Sequence, residues 1–267
     1  MRKLNVIAAV LLVSALGCQK EDPRIGEILE KLDKMDKKLD RPSVGAAPAP
    51  RRGPDANVVY NLPVADTDVT RGAKVAKVTV IEGFDFACPY CAQARPGLEE
   101  AAAAHGNDVR VVSKQFVVHP QVATLPALAV CAAQKQGKGN DMENAIWGEA
   151  WKGDNGRPNF DATKLAQDAI EKTAAAQKLD VEKLKADMAS EGCKADIARQ
   201  QKELASIGVN GTPAFYINGK PYQGARTKEG FTAAIEEEIK RVDAALKNGT
   251  KVEDYYANLM RTAQKSL

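Results

Sequence analysis

The sequence predicts an α/β fold in which a strand, a helix and a second strand precede a long helical segment, a hairpin and a further helix. Residues 77–86 and 109–118 are rich in Val, Ile and Phe and flank a helical segment, 89–105. A hairpin is expected at 214–222, because Asn-Gly at 218–219 is the strongest two-residue turn signal. Aromatic residues make up only 5% of the chain and Ala is abundant, which favours helices over a β-sandwich.

The stretch between the second strand and the hairpin, about 122–207, has helical patterns throughout. At roughly 80 residues it is too long for a loop, since connections without secondary structure rarely exceed about 15 residues. We therefore expect a helical insertion at this point of the α/β domain. The helices predicted in it are 126–136, 142–151, 163–178, 181–190 and 194–207, and two further helical segments, 228–247 and 252–264, follow the hairpin.

Composition and charge exclude several classes of protein. Hydrophobic residues are 44% and charged residues 27% of the 267, near the average for globular proteins, which excludes wholesale disorder. The 38 Lys and Arg residues are balanced by 35 Asp and Glu residues, so nucleic acid is not an expected partner. With two His residues, a His-rich metal site is not expected either.

The first residues resemble a bacterial export signal. Arg2 and Lys3 precede an apolar run at 4–16 that would span about 20 Å as a helix, short of the roughly 30 Å membrane core, so 1–17 is expected to be a signal peptide. The end of the apolar run, with a Gly directly before Cys18, resembles a bacterial lipobox. This resemblance implies cleavage before Cys18 and a lipid anchor on its thiol. The alternative is an ordinary secretory signal with an incidental cysteine. In either case the chain leaves the cytoplasm.

Two segments separate this signal from the domain expected at 57–267. Residues 18–40 are expected to hold the lipid-anchor region and a short coiled-coil stalk, because apolar residues repeat there at a/d positions. Residues 41–56 form a Pro/Ala linker. The stalk either makes the protein a homo-oligomer through 25–39 or is a solvated helical spacer. The heptad positions are Ile25, Ile28, Leu32, Met35 and Leu39.

A Cys-Pro-Tyr-Cys motif lies at the predicted junction of the first strand and the following helix. Cys88 would stand at the helix N-terminus, where free N–H groups and the helix dipole favour a thiolate. Pro89 suits the first helical position because it has no N–H to leave unpaired. Cys91, one turn later, is expected to be more buried and to resolve a mixed disulfide. A zinc site would need two further ligands, and the sequence has neither a second CxxC nor an HxxxH.

Two motifs together identify a family. Glu82-Gly-Phe-Asp-Phe-Ala-Cys88-Pro-Tyr-Cys91 is followed by Gly208-Val-Asn-Gly-Thr-Pro213-Ala-Phe-Tyr-Ile-Asn-Gly219. Over about 57–248 the chain resembles the DsbA-like branch of the thioredoxin superfamily. The resemblance implies a thioredoxin fold whose helical insertion lies between the second core strand and the cis-Pro hairpin, preceded here by the helical stalk. It also implies a thiol–disulfide oxidoreductase without a cofactor.

The resemblance assigns roles around the cysteines. Thr212–Pro213 is expected to be a cis peptide whose loop packs against the CxxC and offers an edge on which a substrate strand can pair. The substrate-binding residues would be Pro89, Tyr90, Thr212 and Pro213, and the catalytic residues Cys88, Cys91, Glu82 and Pro213.

Glu82 matches the buried acid that the family places under the active site. A carboxylate in an apolar strand has a raised pKa and can relay the proton as Cys91 is deprotonated. Lys114, in the next strand, is the expected partner of this acid, with a solvated strand lysine as the alternative.

The expected function is that of an extracytoplasmic enzyme in the periplasm or cell envelope. Its partners would be cysteine-containing secreted proteins and a membrane redox partner, with the lipid anchor holding it to a membrane. We expect it to introduce disulfides, although the Pro-Tyr dipeptide predicts a less oxidising pair than in the strongest oxidants. An oligomeric isomerase or reductase is the alternative, since the stalk would bring several sites to one client and Thr before the proline is, within the family, more typical of isomerases and milder oxidoreductases. A lipid-tethered peptide-binding module is the non-enzymatic alternative.

Two cysteines remain, Cys131 and Cys193, one at each end of the insertion. An oxidising compartment disfavours odd reactive thiols, so we expect a structural disulfide that closes a loop of about 62 residues. The alternative is that each is a free, buried small hydrophobe.

Overall fold

The computed structural model describes residues 30, 31, 34, 53–153 and 159–267. The chain divides into two compact units, Met1–Arg51 and Arg52–Leu267. In the first unit, Lys34 Nζ lies 2.6 Å from Glu30 Oε1, one helical turn away. The predicted signal peptide, the lipidation site, the heptad positions and most of the linker lie outside the described residues. Within the described ranges, no helix has both the length and the apolar character that crossing a membrane requires.

The second unit is built around a five-stranded mixed sheet. Its strands are β1 Val69–Gly72, β2 Val78–Phe84, β3 Val109–Gln115, β4 Ala214–Ile217 and β5 Lys220–Pro221. Their order across the sheet is β1-β3-β2-β4-β5. The central pair, β2 and β3, is parallel, and the other pairs are antiparallel. All seven residues of β2 are buried, as expected for a central strand covered by helices on both faces.

Helices cover both faces of this sheet. They are α1 Pro89–Ala104, α2 Pro120–Gln134, α3 Gly139–Ala150, α4 Gln167–Ala176, α5 Val181–Ala189, α6 Glu191–Ser206, α7 Lys228–Lys247 and α8 Val252–Thr262. On one face, α1 and α7 pack on the strands through Leu98 and Phe231. On the other face, α6 and α8 contribute Leu204 and Met260. The insertion helices form a further apolar cluster with the segment around the two free cysteines. The α/β thioredoxin fold with a helical insertion is thus confirmed.

Most predicted elements are present, and three differ in an informative way. The first insertion helix begins at Pro120, so that Pro126, predicted to start it, lies inside α2. The helix predicted at 163–178 is a 3₁₀ turn, Ala162–Leu165, followed by α4, because Ala166 has extended backbone. Strand β1 was not predicted. It is only four residues long and pairs with β3 alone, at the sheet edge, so its local pattern is weak.

The insertion is joined end to end by a disulfide. Cys131 in α2 and Cys193 in α6 are bonded at 2.06 Å, with a sequence separation of 62. Cys193 is fully buried and Cys131 half-buried, so the bond lies within the apolar core of the insertion. The free-thiol alternative for these two residues is wrong in this structure. In the chain-entropy model a loop of this length corresponds to about 4 kcal/mol of stabilisation.

The last residues of the chain, which lie outside the region of resemblance, belong to the domain. Tyr256 of α8 is buried and donates a hydrogen bond from its hydroxyl to Leu62 O at 2.7 Å. Tyr60 pairs with Gln264 in a parallel bridge. The C-terminal segment therefore covers the same face of the sheet as α6.

Candidate active site

The Cys-Pro-Tyr-Cys motif begins where β2 ends, and α1 starts inside it. Cys88 is the N-cap of α1 and Pro89 takes the first helical position, as predicted. Both cysteines are free thiols. Cys91 is fully buried, whereas Cys88 keeps 3% exposure beside the exposed side chains of Pro89 and Tyr90. The two sulfurs therefore differ in their access to a client, but only slightly.

Their ionisation differs much more. A hydrogen bond from the Cys91 side chain is the main cause that lowers the pKa of Cys88 to about 6; burial opposes it, and Thr212 and backbone N–H groups of Tyr90 and Cys91 add to it. Burial is the main cause that raises the pKa of Cys91, and the charges of Cys88 and Glu82 act in the same direction. Cys88 is thus the thiolate of the pair, and Cys91 keeps its proton.

The loop before β4 lies against Cys88. The Thr212–Pro213 peptide is cis. Cys88 Sγ lies 3.3 Å from Thr212 O, to which it donates when it is protonated. The position follows from the sheet, since Ala214 pairs with Gly83 near the end of β2 and so brings the preceding loop to the motif. The second sequence motif and the first therefore meet in one site.

Asp85 is a residue of this site to which we assigned no role from the sequence. Its carboxylate is fully buried and accepts from the backbone N–H groups of Ala87 at 2.7 Å, Val118 at 2.7 Å and His119 at 2.8 Å. Its carbonyl accepts from Cys88 N at 3.0 Å. Asp85 therefore joins the turn before Cys88 to the loop between β3 and α2. The sequence signal for it was an acid between two phenylalanines, directly ahead of the CxxC.

Glu82 is fully buried in β2, as the resemblance implied, but its partner is not Lys114. Arg71 Nη2 of β1 lies 2.9 Å from Glu82 Oε2, and Arg95 Nη1 of α1 lies 3.9 Å from it. The register explains the difference, since Glu82 is paired with Ser113. Side chains alternate between faces along a strand, so Lys114 points to the opposite face of the sheet.

The same two arginines hold a second buried acid, Glu143 of α3. Its Oε1 accepts from Arg71 Nη1 at 2.5 Å, Arg95 Nη1 at 3.1 Å and Ser113 Oγ at 2.9 Å. We call Glu82, Glu143, Arg71 and Arg95 the Glu82 cluster. One oxygen of each acid, Glu82 Oε1 and Glu143 Oε2, has no hydrogen-bond partner among the described residues. No local sequence pattern pointed to this cluster, since its members come from four separate elements.

Lys114 belongs to another buried network on the far face. Its Nζ donates to Asp68 Oδ2 at 2.7 Å and to Glu203 Oε2 at 2.8 Å. Arg199 of α6 donates to Asp68 Oδ1 at 2.6 Å and to Glu203 Oε1 at 2.8 Å. We call these four residues the Lys114 cluster. It ties β3 and the segment before β1 to α6. The expectation that Lys114 pairs with Glu82, and its alternative of a solvated lysine, are both wrong.

The surface around Cys88 is partly apolar. Tyr90 is 62% exposed and Val118 is 38% exposed, the highest values among large apolar side chains next to the motif. Phe84, Phe86 and Trp147, in the buried cluster that also holds the two cysteines, pack with ring centroids 5.1–5.6 Å apart. Tyr90 and Val118 thus form an exposed apolar rim beside the motif.

Comparison with known proteins agrees with this geometry. A family model described as thioredoxin matches residues 64–237. The Na⁺/H⁺ antiporter NhaA of Herminiimonas arsenicoxydans is 31% identical over 191 residues, 68% of this chain and 27% of that protein. Antiporter NhaA 3 of Salinispora tropica is 31% identical over 173 residues, 64% of this chain and 24% of that protein. The chain spans about a quarter of the length of these curated relatives.

Three solved structures match this chain over most of their own length. A thioredoxin-like oxidoreductase from Silicibacter pomeroyi DSS-3 has a TM-score of 0.53 and 26% identity, covering 67% of this chain and 93% of that one. Oxidised BdbD from Bacillus subtilis has a TM-score of 0.57 and 19% identity, covering 71% and 100%. Wolbachia pipientis alpha-DsbA1 has a TM-score of 0.54 and 19% identity, covering 69% and 96%. At this identity the last two show the fold alone.

The fold, the paired motifs and these similarities define the class of the protein. The chain belongs to the thioredoxin family, and it has the fold of the BdbD and alpha-DsbA1 structures.

Proposed function

We propose that the protein is an extracytoplasmic oxidoreductase that introduces disulfides into secreted proteins through Cys88 and Cys91. The observation that carries the proposal is the opposite ionisation of the two sulfurs: the pKa of Cys88 is lowered to about 6 and that of Cys91 is raised. A low-pKa thiol at a helix N-terminus is the better leaving group in thiol–disulfide exchange. A peptide-binding module would need no such difference.

The exchange proceeds in two displacements. A client thiolate attacks Cys88 Sγ of the Cys88–Cys91 disulfide; the bond between the two cysteines breaks, and Cys91 leaves with the electron pair and takes up a proton. A second client thiolate then attacks the client sulfur of the mixed disulfide, and Cys88 leaves as a thiolate. The client has lost two electrons and now holds a disulfide, and the enzyme holds the dithiol until a membrane redox partner oxidises it again.

The ionisation of Cys88 supports disulfide donation as the direction of exchange. Stabilising the Cys88 thiolate favours the reduced form of the pair, and a pair whose reduced form is stabilised is a stronger oxidant. The Cys131–Cys193 disulfide agrees with an oxidising compartment. An oligomeric isomerase or reductase remains the second candidate, favoured by the heptad pattern at 25–39 and by Thr212 before the proline.

Binding of the client is assigned to the rim of Cys88. We propose that a client segment pairs with the backbone at Thr212 and Pro213 and contacts Pro89 and Tyr90. The signal at 1–17 and lipidation of Cys18 would carry the domain across a membrane and anchor it there, with 18–40 as stalk and 41–56 as linker to the domain that follows. The location would be the periplasm or cell envelope.

The reduction potential of the Cys88–Cys91 pair, measured with the full chain against glutathione, tests the direction. A disulfide donor is expected to have a potential well above that of thioredoxin and to be found oxidised in cells. A low potential together with a reduced state in cells would instead support the isomerase or reductase.

Disulfide transfer to a reduced, unfolded client tests the activity itself. Cys88→Ser is expected to abolish transfer, and Cys91→Ser to accumulate the mixed disulfide. Lys183→Ser, an exposed surface change, serves as the control. Transfer that persists in Cys88→Ser would contradict the proposed nucleophile, and an inactive wild type would contradict the function.

A further inference from the structure

The Glu82 cluster contains more charged side chains than are needed to pair a single buried acid. Four charged side chains from β1, β2, α1 and α3 meet there, and the carboxylates of Glu82 and Glu143 are both fully buried. Arg71 bridges them, with one guanidinium nitrogen on each acid, and Arg95 contacts both. The two acids therefore share the same two cations, and a change in the charge of one acts directly on the other.

The groups that face the Glu82 carboxylate come from every element packed on it. They are Arg71 from β1, Arg95 from α1 and, across the two guanidiniums, Glu143 from α3; β3 contributes the neutral Ser113. The negative charges of the two acids balance the positive charges of the two guanidiniums. A third acid, Glu99, contacts Arg95 at 2.8 Å but is 43% exposed, so solvent screens it. The balance around Glu82 thus depends chiefly on Glu143.

The cluster acts on Cys91 through the charge of Glu82 and borders a cavity through Arg71. The negative charge of Glu82 is one of the causes that raise the pKa of Cys91, after burial and the contributions of Cys88. At the other end, Arg71 and Asn144 line a cavity of about 430 Å³ along the C-terminal half of α1. Asn144 also accepts from Arg95 Nη2 at 2.6 Å. The cavity is therefore at the end of α1 opposite to Cys88.

We propose that Glu143, acting through Arg71 and Arg95, is a positioning residue that sets how readily Glu82 exchanges a proton with Cys91. This inference rests on the proposed function, since it concerns the same cysteine pair. When Cys91 resolves a mixed disulfide, its proton passes to a carboxylate oxygen of Glu82, its sulfur bonds to Cys88 Sγ, and the client sulfur leaves with the electron pair. In disulfide donation the same proton moves from Glu82 to Cys91.

Glu143 strengthens Glu82 as a base because its negative charge offsets the two guanidiniums. Without it, Glu82 would face two cations alone, and its carboxylate would hold a proton less readily. The free oxygen of Glu82, unpaired within the described residues, is the atom left to take the proton. Removing Arg71 would have the opposite effect, since two acids would then share one guanidinium.

The test is the pH dependence of resolution in single turnover, starting from a mixed disulfide of the full chain with a small thiol. In Glu143→Gln we expect the acid limb of the profile to move about one unit to lower pH, and the plateau rate to fall several-fold. In Arg71→Gln the acid limb should move to higher pH. Opposite shifts cannot come from a general loss of packing, and Arg71→Gln carries the test if Glu143→Gln does not fold.

Two controls sharpen the result. Glu149→Gln removes the same charge from the same helix at a position 43% exposed, and its profile should equal that of the wild type. In the Glu82→Gln background, Glu143→Gln should have no further effect, because its influence passes through Glu82. Equal profiles for wild type and Glu143→Gln, or full additivity in the double variant, would overturn this inference while leaving the exchange activity intact. A wild type without exchange would instead overturn the proposed function.

Discussion

The Glu82 cluster and the Lys114 cluster are buried ion-pair networks on opposite faces of the same two strands, and they differ in what they leave unpaired. In the Lys114 cluster, both oxygens of Asp68 accept from charged donors, and Lys114 Nζ has two carboxylate acceptors. In the Glu82 cluster, each acid keeps one oxygen without a partner among the described residues. The first network is closed by its own contacts, whereas the second has capacity left for a proton. Glu82 of the second network is near enough to Cys91 for its charge to raise the pKa of that thiol.

The two networks should therefore respond differently to substitution. Breaking a closed pair leaves an uncompensated charge in the core, so its main effect should be on stability. Changing an open pair alters where a proton can go, so its main effect should be on rate and pH dependence. Measurements of stability and of rate on variants of each cluster separate these two effects.

The largest effect is expected from Lys114→Met. It removes the fully buried cation between Asp68 and Glu203 and leaves them only the partly exposed Arg199. The free energy of unfolding should fall by about 3–5 kcal/mol, with the exchange chemistry of the folded protein unchanged. Urea denaturation monitored by circular dichroism measures it. Lys183→Met, which removes an exposed pair with Asp187, should cost less than about 1 kcal/mol. A small loss of unfolding free energy in Lys114→Met would show that the Lys114 cluster does not stabilise the fold.

A somewhat smaller loss of stability is expected when the Cys131–Cys193 disulfide of the insertion is removed. The Cys131→Ala/Cys193→Ala double variant removes the cross-link to α6, the helix that also carries Glu203 and Arg199 of the Lys114 cluster. The unfolding free energy should fall by about 2–4 kcal/mol, mainly through the entropy of the unfolded chain. Denaturation of the oxidised wild type under the same conditions is the reference. Equal midpoints would contradict a stabilising role for this bond.

Glu82→Gln should act on rate instead of on stability. It removes the proposed proton acceptor of Cys91 but keeps the shape of the side chain, so resolution of a mixed disulfide should slow by roughly tenfold to a hundredfold. Rapid-quench single-turnover assays give the rate, and circular dichroism checks the fold. An unchanged resolution rate would rule out the proton-relay role of this acid.

The smallest effect concerns the ionisation of Cys88 itself. Since the pKa of Cys88 is about 6, alkylation by iodoacetamide should rise through pH 6 and be flat above it. In Cys91→Ala the midpoint should move upward, because the hydrogen bond from Cys91 is the main cause of the lowering. The lowered pKa also stabilises the reduced fold at higher pH, and this contribution is lost as pH falls through about 6. A midpoint near the ordinary value of about 8.5 would contradict the assignment.

Elements with strong local signals were predicted closely. Strand β2 is rich in Val and Ile and buried throughout, α1 begins at a proline after a cysteine cap, and the hairpin turns at Asn218 and Gly219, both of which have positive φ as this turn requires. The start of α2 was predicted at the wrong one of two prolines. Pro120 and Pro126 each fit a first helical turn by local rules, and only the packing of the whole insertion distinguishes them.

The residues of the thioredoxin-type site are readable from the chain alone. A CxxC at a helix start, a Thr-Pro loop far downstream and an acid six residues before Cys88 each depend on residue type and short spacing. The surroundings of that acid, in contrast, depend on how distant elements pack. The β2–β3 register places Ser113 beside Glu82 and Lys114 on the other face of the sheet. Arg71 lies in β1, a short strand whose only pairing within the sheet is with β3. Contacts between distant elements depend on register and packing, which no local pattern in the chain encodes.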